Sequence, residues 1–184
     1  GDTKTGITFT QMVYELDAGD IVAQFPVPLK GNETSGELYS MLFTIASQKI
    51  TQVITDYQQK KITPLPQDPT KATYFFSKSH PKSTFIYKED AKLNWQDSAE
   101  INERKVRAFN PWPVAWTTLG DLEKYLQLPL KPKIKKNLNL KIYSAEISHS
   151  VARPEEVLIP KEICLEGRRK MDWKSFLNGY CSTN

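Results

Sequence analysis

The chain has 184 residues, 39% of them apolar and 25% charged, with a formal net charge of +4. That composition belongs to a globular protein of one medium or two small domains and excludes disordered, fibrous and collagen-like classes. No stretch approaches the roughly 20 apolar residues of a membrane span, no basic-then-apolar signal layout opens the chain, and Cys164 and Cys181 have no zinc-type or disulfide-framework spacing, so a reduced, cytoplasmic protein without membrane or metal is expected.

In chain order, Ile7 to Met12 alternates as a strand, and Ile21 to Phe25 is a second short strand that Pro26 and Pro28 are expected to end. A turn with the sequence Leu16-Asp17-Ala18-Gly19-Asp20 lies between them. Thr34 with Glu37 has the spacing of a capping box, and Leu38, Met41, Leu42, Ile45, Ile50, Val53, Ile54 and Tyr57 follow at helical intervals. A long amphipathic helix is predicted. Pro64, Pro66 and Pro69 then break regular structure and open a polar connector, where a domain boundary is placed.

Downstream, Asp97 and Glu100 suggest a capped short helix through Ile101 and Val106, stopped at Asn110-Pro111. Strand-like segments follow at 114–118, 138–147, 156–159 and 162–166, a pattern that favours a small barrel or sandwich. Asp172 can cap a last helix with Trp173, Phe176, Leu177 and Tyr180 on one face.

Charge is distributed unevenly. Residues 1–66 carry five lysines against seven acids, while residues 67–184 carry twenty lysines and arginines against fourteen acids. The densest stretch, Lys124 to Lys141, contains Lys131, Lys133, Lys135 and Lys136 and no acid. It reads either as a solvated face or as a polyanion contact. The chain has no GxGxxG, P-loop, HExxH or GxSxG pattern. Its two histidines, His80 and His149, stand apart and read as surface residues. Asp17 sits in a glycine-containing loop between strands, where functional groups are often presented. An Asx-turn, with Asp17 or Asp20 bonding its own backbone, explains the same residues without a function.

The runs Gly1-Asp2-Thr3-Lys4-Thr5-Gly6-Ile7-Thr8, Gln11-Met12 and Leu16-Asp17-Ala18-Gly19-Asp20 resemble the segment of folate-dependent formyltransferases that carries the catalytic aspartate, and Thr34-Ser35-Gly36-Glu37-Leu38-Tyr39 resembles the start of that family's next helix. Arg107-Ala108-Phe109-Asn110-Pro111-Trp112-Pro113, after Leu93-Asn94-Trp95 and Ser98-Ala99, is similar to the hallmark of the methionyl-tRNA branch. Leu165-Glu166-Gly167-Arg168-Arg169-Lys170-Met171 and Phe176-Leu177-Asn178-Gly179-Tyr180 resemble that branch's C-terminal ending.

The resemblance implies formyl transfer from 10-formyltetrahydrofolate to the amino group of methionine esterified to initiator tRNA, in translation initiation. Its division of labour among an Asn, a His and an Asp has one counterpart here, Asp17, expected to orient the His; Leu16, Gly19 and Asp20 are expected beside the folate. It further implies an α/β remnant, the C-terminal part of a Rossmann-like formyltransferase domain at 1–66, a linker at 67–88, and a small OB-like β-barrel at 89–184 that holds tRNA. Lys131, Lys133, Lys135, Lys136, Arg168, Arg169 and Lys170 are the expected phosphate contacts, whereas Trp112 and Trp116 are expected to pack. A chain lacking the preceding Asn and His is expected to be inactive alone and, with its helix face uncovered, to self-associate; whole, it is expected to be a monomer. The segment 147–163 is shorter than the family shows. Formyl transfer to a nucleotide sugar or purine precursor, or a non-catalytic nucleic-acid-binding module, are the competing readings.

Overall fold

The computed structural model describes residues 1–76, 78–81, 83–148 and 156–182. His149 and residues 149–155 of the shortened segment lie outside the described residues. The chain divides into two compact units, Gly1–Phe85 and Ile86–Asn184.

In the first unit, β1 (Lys4–Thr10) pairs antiparallel with β2 (Ile21–Pro28) in a two-stranded sheet. The first strand begins earlier than its alternation suggests and ends at Thr10, where the register shifts next to Phe9. The second strand runs through both prolines that were expected to stop it. The reason is register: Leu29 donates its N–H to Thr3 (2.9 Å), so alternate amides face β1, and Pro26 and Pro28 occupy the outward positions where no donor is needed. Next comes α1 (Ser35–Gln58), opened by the expected capping box: Thr34 Oγ1 accepts from Glu37 N–H, and the Glu37 carboxylate accepts from Thr34 N–H at 2.8 Å. Of its predicted apolar face only Val53 is buried, while Ile50 and Ile54 are exposed. In the connector Leu65 forms an antiparallel bridge to Ile21, with two 2.8 Å hydrogen bonds, and Asp68 caps a 3-10 turn at Pro69–Lys71.

The second unit contains α2 (Ala99–Ala108), β3 (Ala115–Thr118), α3 (Leu119–Leu126), β4 (Asn139–Ser148), β5 (Val157–Leu165), β6 (Lys170–Asp172) and α4 (Trp173–Tyr180). Its sheet has the order β3-β4-β5-β6, all neighbours antiparallel. Leu140, Ile142, Ile163 and Leu165 point inward from the two long strands and pack with Val106, Leu119, Leu122 and Phe176. Fully burying each such side chain contributes about 1.5–3 kcal/mol, so this layer holds the unit together.

Four differences from the sequence reading have physical causes. The expected OB-like barrel does not close among the described residues: β6 is three residues long and β3 four, too short to extend pairing around a ring, and α3 and α4 follow them directly. The cap of α2 is Ser98, whose Oγ accepts from Ile101 N–H at 3.2 Å, while Asp97 pairs with Lys105 Nζ at 2.7 Å. Segments 156–159 and 162–166 form one strand through Pro160, which pairs with Ala145 beside a register irregularity, and β6 reaches only Glu162 to Cys164, leaving Pro160 on an edge. Finally, α3 was not anticipated, although Thr118 caps it by accepting from Asp121 N–H at 3.1 Å.

Candidate functional site

The loop between β1 and β2 is held closed at its neck. Gln11 N–H donates to the Asp20 carbonyl at 2.9 Å, extending the ladder one step beyond Thr10, and the Gln11 side-chain amide donates to the Tyr57 hydroxyl on α1. Gly19 makes this closure possible, because a Cβ there would lie 1.8 Å from the Gln11 carbonyl oxygen. One amide from the connector, Gln67 Nε2, donates to the Asp17 carbonyl (2.8 Å) and to the Gly19 carbonyl (2.7 Å).

Within this frame Asp17 adopts the left-handed conformation at φ 56°, which an aspartate tolerates better than most residues. Its carboxylate is exposed and makes no hydrogen bond or ion pair among the described residues; neither it nor Asp20 forms the alternative Asx-turn. The run from Thr10 to Asp17 lines an open groove of about 400 Å³. Met12, Tyr14 and Leu16 beside it are almost wholly exposed. Nothing in the local sequence singles out Gln67, whose contacts are 48 and 50 residues away.

The basic residues of the second unit divide into two groups. Lys131 Nζ donates to the Asn178 and Gly179 carbonyls near the C-terminus of α4 (2.9 and 3.0 Å), where a cation also meets the negative end of the helix dipole. Lys136 is ion-paired with Glu123 at 2.6 Å, and this contact is the main reason that the Glu123 carboxyl is held below its ordinary range. Lys170 pairs with Glu162 at 3.3 Å and lies 3.6 Å from the centre of the Tyr143 ring. By contrast, Lys133, Lys135, Arg168 and Arg169 are exposed with no side-chain partner among the described residues. The first two precede β4, and the arginines sit on the β5–β6 turn, where Gly167 has φ 73°.

The run from Arg107 to Pro113 connects α2 to β3. Arg107 Nε donates to Glu103 Oε1, Asn110 Nδ2 donates to the Tyr143 carbonyl at 2.9 Å, and Val114 N–H closes back on the Phe109 carbonyl at 2.8 Å. The segment is therefore architectural. Trp116 is half-buried and donates from Nε1 to the Lys88 carbonyl at 2.8 Å, Trp112 is 56% exposed, and neither belongs to the core in which packing was expected. His80 stacks on Phe76, ring centres 4.2 Å apart. Among the described residues no cluster of three or more potential metal ligands exists, and no helix is long and apolar enough to cross a membrane.

The family described as formyl transferase, C-terminal domain, matches residues 85–181, which takes in every helix and strand of the second unit. The chain belongs to this family. Over 97% of its length the chain is 34% identical to a methionyl-tRNA formyltransferase from Streptococcus pneumoniae, of which it covers 55%. It spans about half the length of the curated relatives it matches. Its fold is like that of HypX from Aquifex aeolicus in complex with tetrahydrofolic acid (TM-score 0.58, 15% identity, 100% of this chain and 34% of that one). The N-formyltransferase from Helicobacter canadensis, solved with folinic acid and dTDP-3-aminofucose, is similar at TM-score 0.55 and 16% identity, over 86% of this chain and 56% of that one.

Proposed function

We propose that the protein transfers the formyl group of 10-formyltetrahydrofolate to the amino group of methionine carried by initiator tRNA, in translation initiation in the cytoplasm. The reading rests chiefly on one observation: 34% identity to a methionyl-tRNA formyltransferase, over 97% of the chain.

Formyl transfer to nitrogen needs an amine made neutral, a route for its proton, and donors for the oxyanion of the tetrahedral intermediate. Asp17 contributes a free carboxylate at the rim of the groove, suited to fix the orientation and ionisation of a histidine by the electrostatic logic of a Ser-His-Asp triad. That histidine and its asparagine partner have no counterpart in residues 1–184, so the activity is proposed for a protein that supplies them. When bound, the formyl folate supplies the activated acyl carbon; Leu16, Gly19 and Asp20 would hold its ring, with Met12 and Tyr14 giving apolar cover. In the second unit the unpartnered Lys133, Lys135, Arg168 and Arg169 are the main phosphate contacts, and Lys131, Lys136 and Lys170 contribute less because each already has an internal partner.

An amino-sugar nucleotide is the second reading for the acceptor, favoured by the fold shared with the Helicobacter canadensis enzyme. The basic turns weigh against it, since a sugar nucleotide offers only two phosphates. The direct test is Asp17→Asn in the full-length protein: formyl transfer to methionyl-tRNA is lost while folding is retained. Turnover equal to the unmodified protein would remove Asp17 from the reaction.

A further inference from the structure

The groove, the aromatic and basic surfaces and the free cysteines lead back to the function already proposed or stand without a second observation, but the loop's anchoring leads further. Two carbonyl oxygens, of Asp17 and Gly19, converge on the side chain of Gln67 from opposite sides of Ala18. Both are pure acceptors, so the amide must present its NH2 group to them, and its two hydrogens suffice for both bonds. This settles the orientation of the side chain without reference to anything else.

Gln67 also has a fixed base. Two residues earlier, Leu65 is bridged to Ile21 by a reciprocal pair of 2.8 Å hydrogen bonds, which ties the connector to the strand that follows the loop. One residue later, Asp68 caps the turn Pro69–Lys71, its carboxylate accepting from Thr70 N–H at 3.0 Å. The backbone on either side of Gln67 is thus constrained, and its amide holds Asp17 from outside the loop. No other side chain among the described residues bonds the backbone of 12–19.

We propose that Gln67 is a positioning residue for formyl transfer: it fixes the left-handed turn at Asp17 and so the direction of the Asp17 carboxylate. The inference rests on the role given to Asp17 above. Because Gln67 is exposed and holds the loop rather than the core, its removal perturbs turnover and leaves folding intact.

The test uses the full-length protein with Gln67→Ala, Gln67→Glu, Gln67→Lys and, as reference, Asp17→Asn, reading kcat and KM for methionyl-tRNA across pH, with circular dichroism as the folding control. Gln67→Ala lowers kcat about tenfold to thirtyfold, the effect of losing two neutral hydrogen bonds from a reacting arrangement, and leaves KM for methionyl-tRNA within about twofold. Gln67→Glu is worse at neutral pH, since a carboxylate faces two carbonyl oxygens; relative to the unmodified protein it recovers as pH falls and the carboxyl regains a proton to donate. Gln67→Lys, which keeps a donor, retains the most activity. If Gln67→Glu turns over like the unmodified protein while Asp17→Asn is inactive, the positioning role is wrong and the reading of Asp17 stands. An active Asp17→Asn overturns both, and unfolding of Gln67→Ala overturns the positioning role alone, since Gln67 would then support the unit rather than the loop.

Discussion

Replacing Gly19 by alanine places a methyl group 1.8 Å from the Gln11 carbonyl oxygen, whereas real Cβ contacts stay beyond 3.0 Å. The obstructing atom is backbone, so the two strands of the loop neck must separate by at least 1.2 Å, the difference between those distances. A shift of that size takes the 2.9 Å bond from Gln11 N–H to Asp20 and the 2.7 Å bond from Gln67 to Gly19 beyond hydrogen-bonding range. Losing two neutral hydrogen bonds costs about 1–3 kcal/mol, confined to the first unit. All four tryptophans (Trp95, Trp112, Trp116 and Trp173) lie in the second unit. Their fluorescence-detected unfolding should therefore be unchanged by Gly19→Ala. Hydrogen exchange read by mass spectrometry should show the amide of Gln11 opening about five- to 150-fold more often, the equivalent of that free energy. Unchanged exchange across residues 10–21 would refute the argument that Gly19 is required by a close approach.

Two further outcomes follow from the electrostatics. The Thr34 backbone N–H, followed by its hydroxyl, holds the Glu37 carboxyl below its ordinary range. A depressed carboxylate stabilises where it is ionised, so its support of α1 is complete at neutral pH and is lost as pH falls through the carboxyl's lowered range. Far-UV circular dichroism should show α1 weakening over that range in the unmodified protein and a flatter acid profile in Glu37→Gln; identical profiles would contradict the capping role. In the second unit, charge reversal at Lys133, Lys135, Arg168 and Arg169 should weaken binding of initiator tRNA and lower the slope of log K against log salt by roughly 0.7–0.9 for each phosphate that is no longer neutralised. Lys131→Ala should instead loosen the end of α4, whose carbonyls it bonds, with a smaller effect on tRNA affinity.

Features specified by neighbouring residues were legible in the sequence. The Thr34–Glu37 box and the Asp172 cap are side-chain-to-backbone contacts three residues apart, and both occur as their spacing suggests. The cap at Thr118 had the same kind of signal, with Leu119, Leu122 and Leu126 all buried on one face, but it is hidden by the strand-like residues directly before it. What depends on distant partners was not legible. Whether Pro26 ends a strand is decided by which way its amide points in the ladder with β1, and whether the second-unit sheet closes is decided by the lengths of β3 and β6. At the candidate site the sequence singled out Asp17 and Gly19 but not Gln67, which reaches them across 48 to 50 residues. Lysine counting likewise missed that Lys131, Lys136 and Lys170 are already partnered.

The most direct measurement of the central claim is a competition for acceptors. Full-length protein supplied with 10-formyltetrahydrofolate is presented with methionyl initiator tRNA and, separately, with a dTDP-amino sugar, and kcat/KM is measured for each. The account predicts efficient formation of formylmethionyl-tRNA, falling with salt, and negligible formylation of the sugar. A higher kcat/KM for the amino sugar would contradict it.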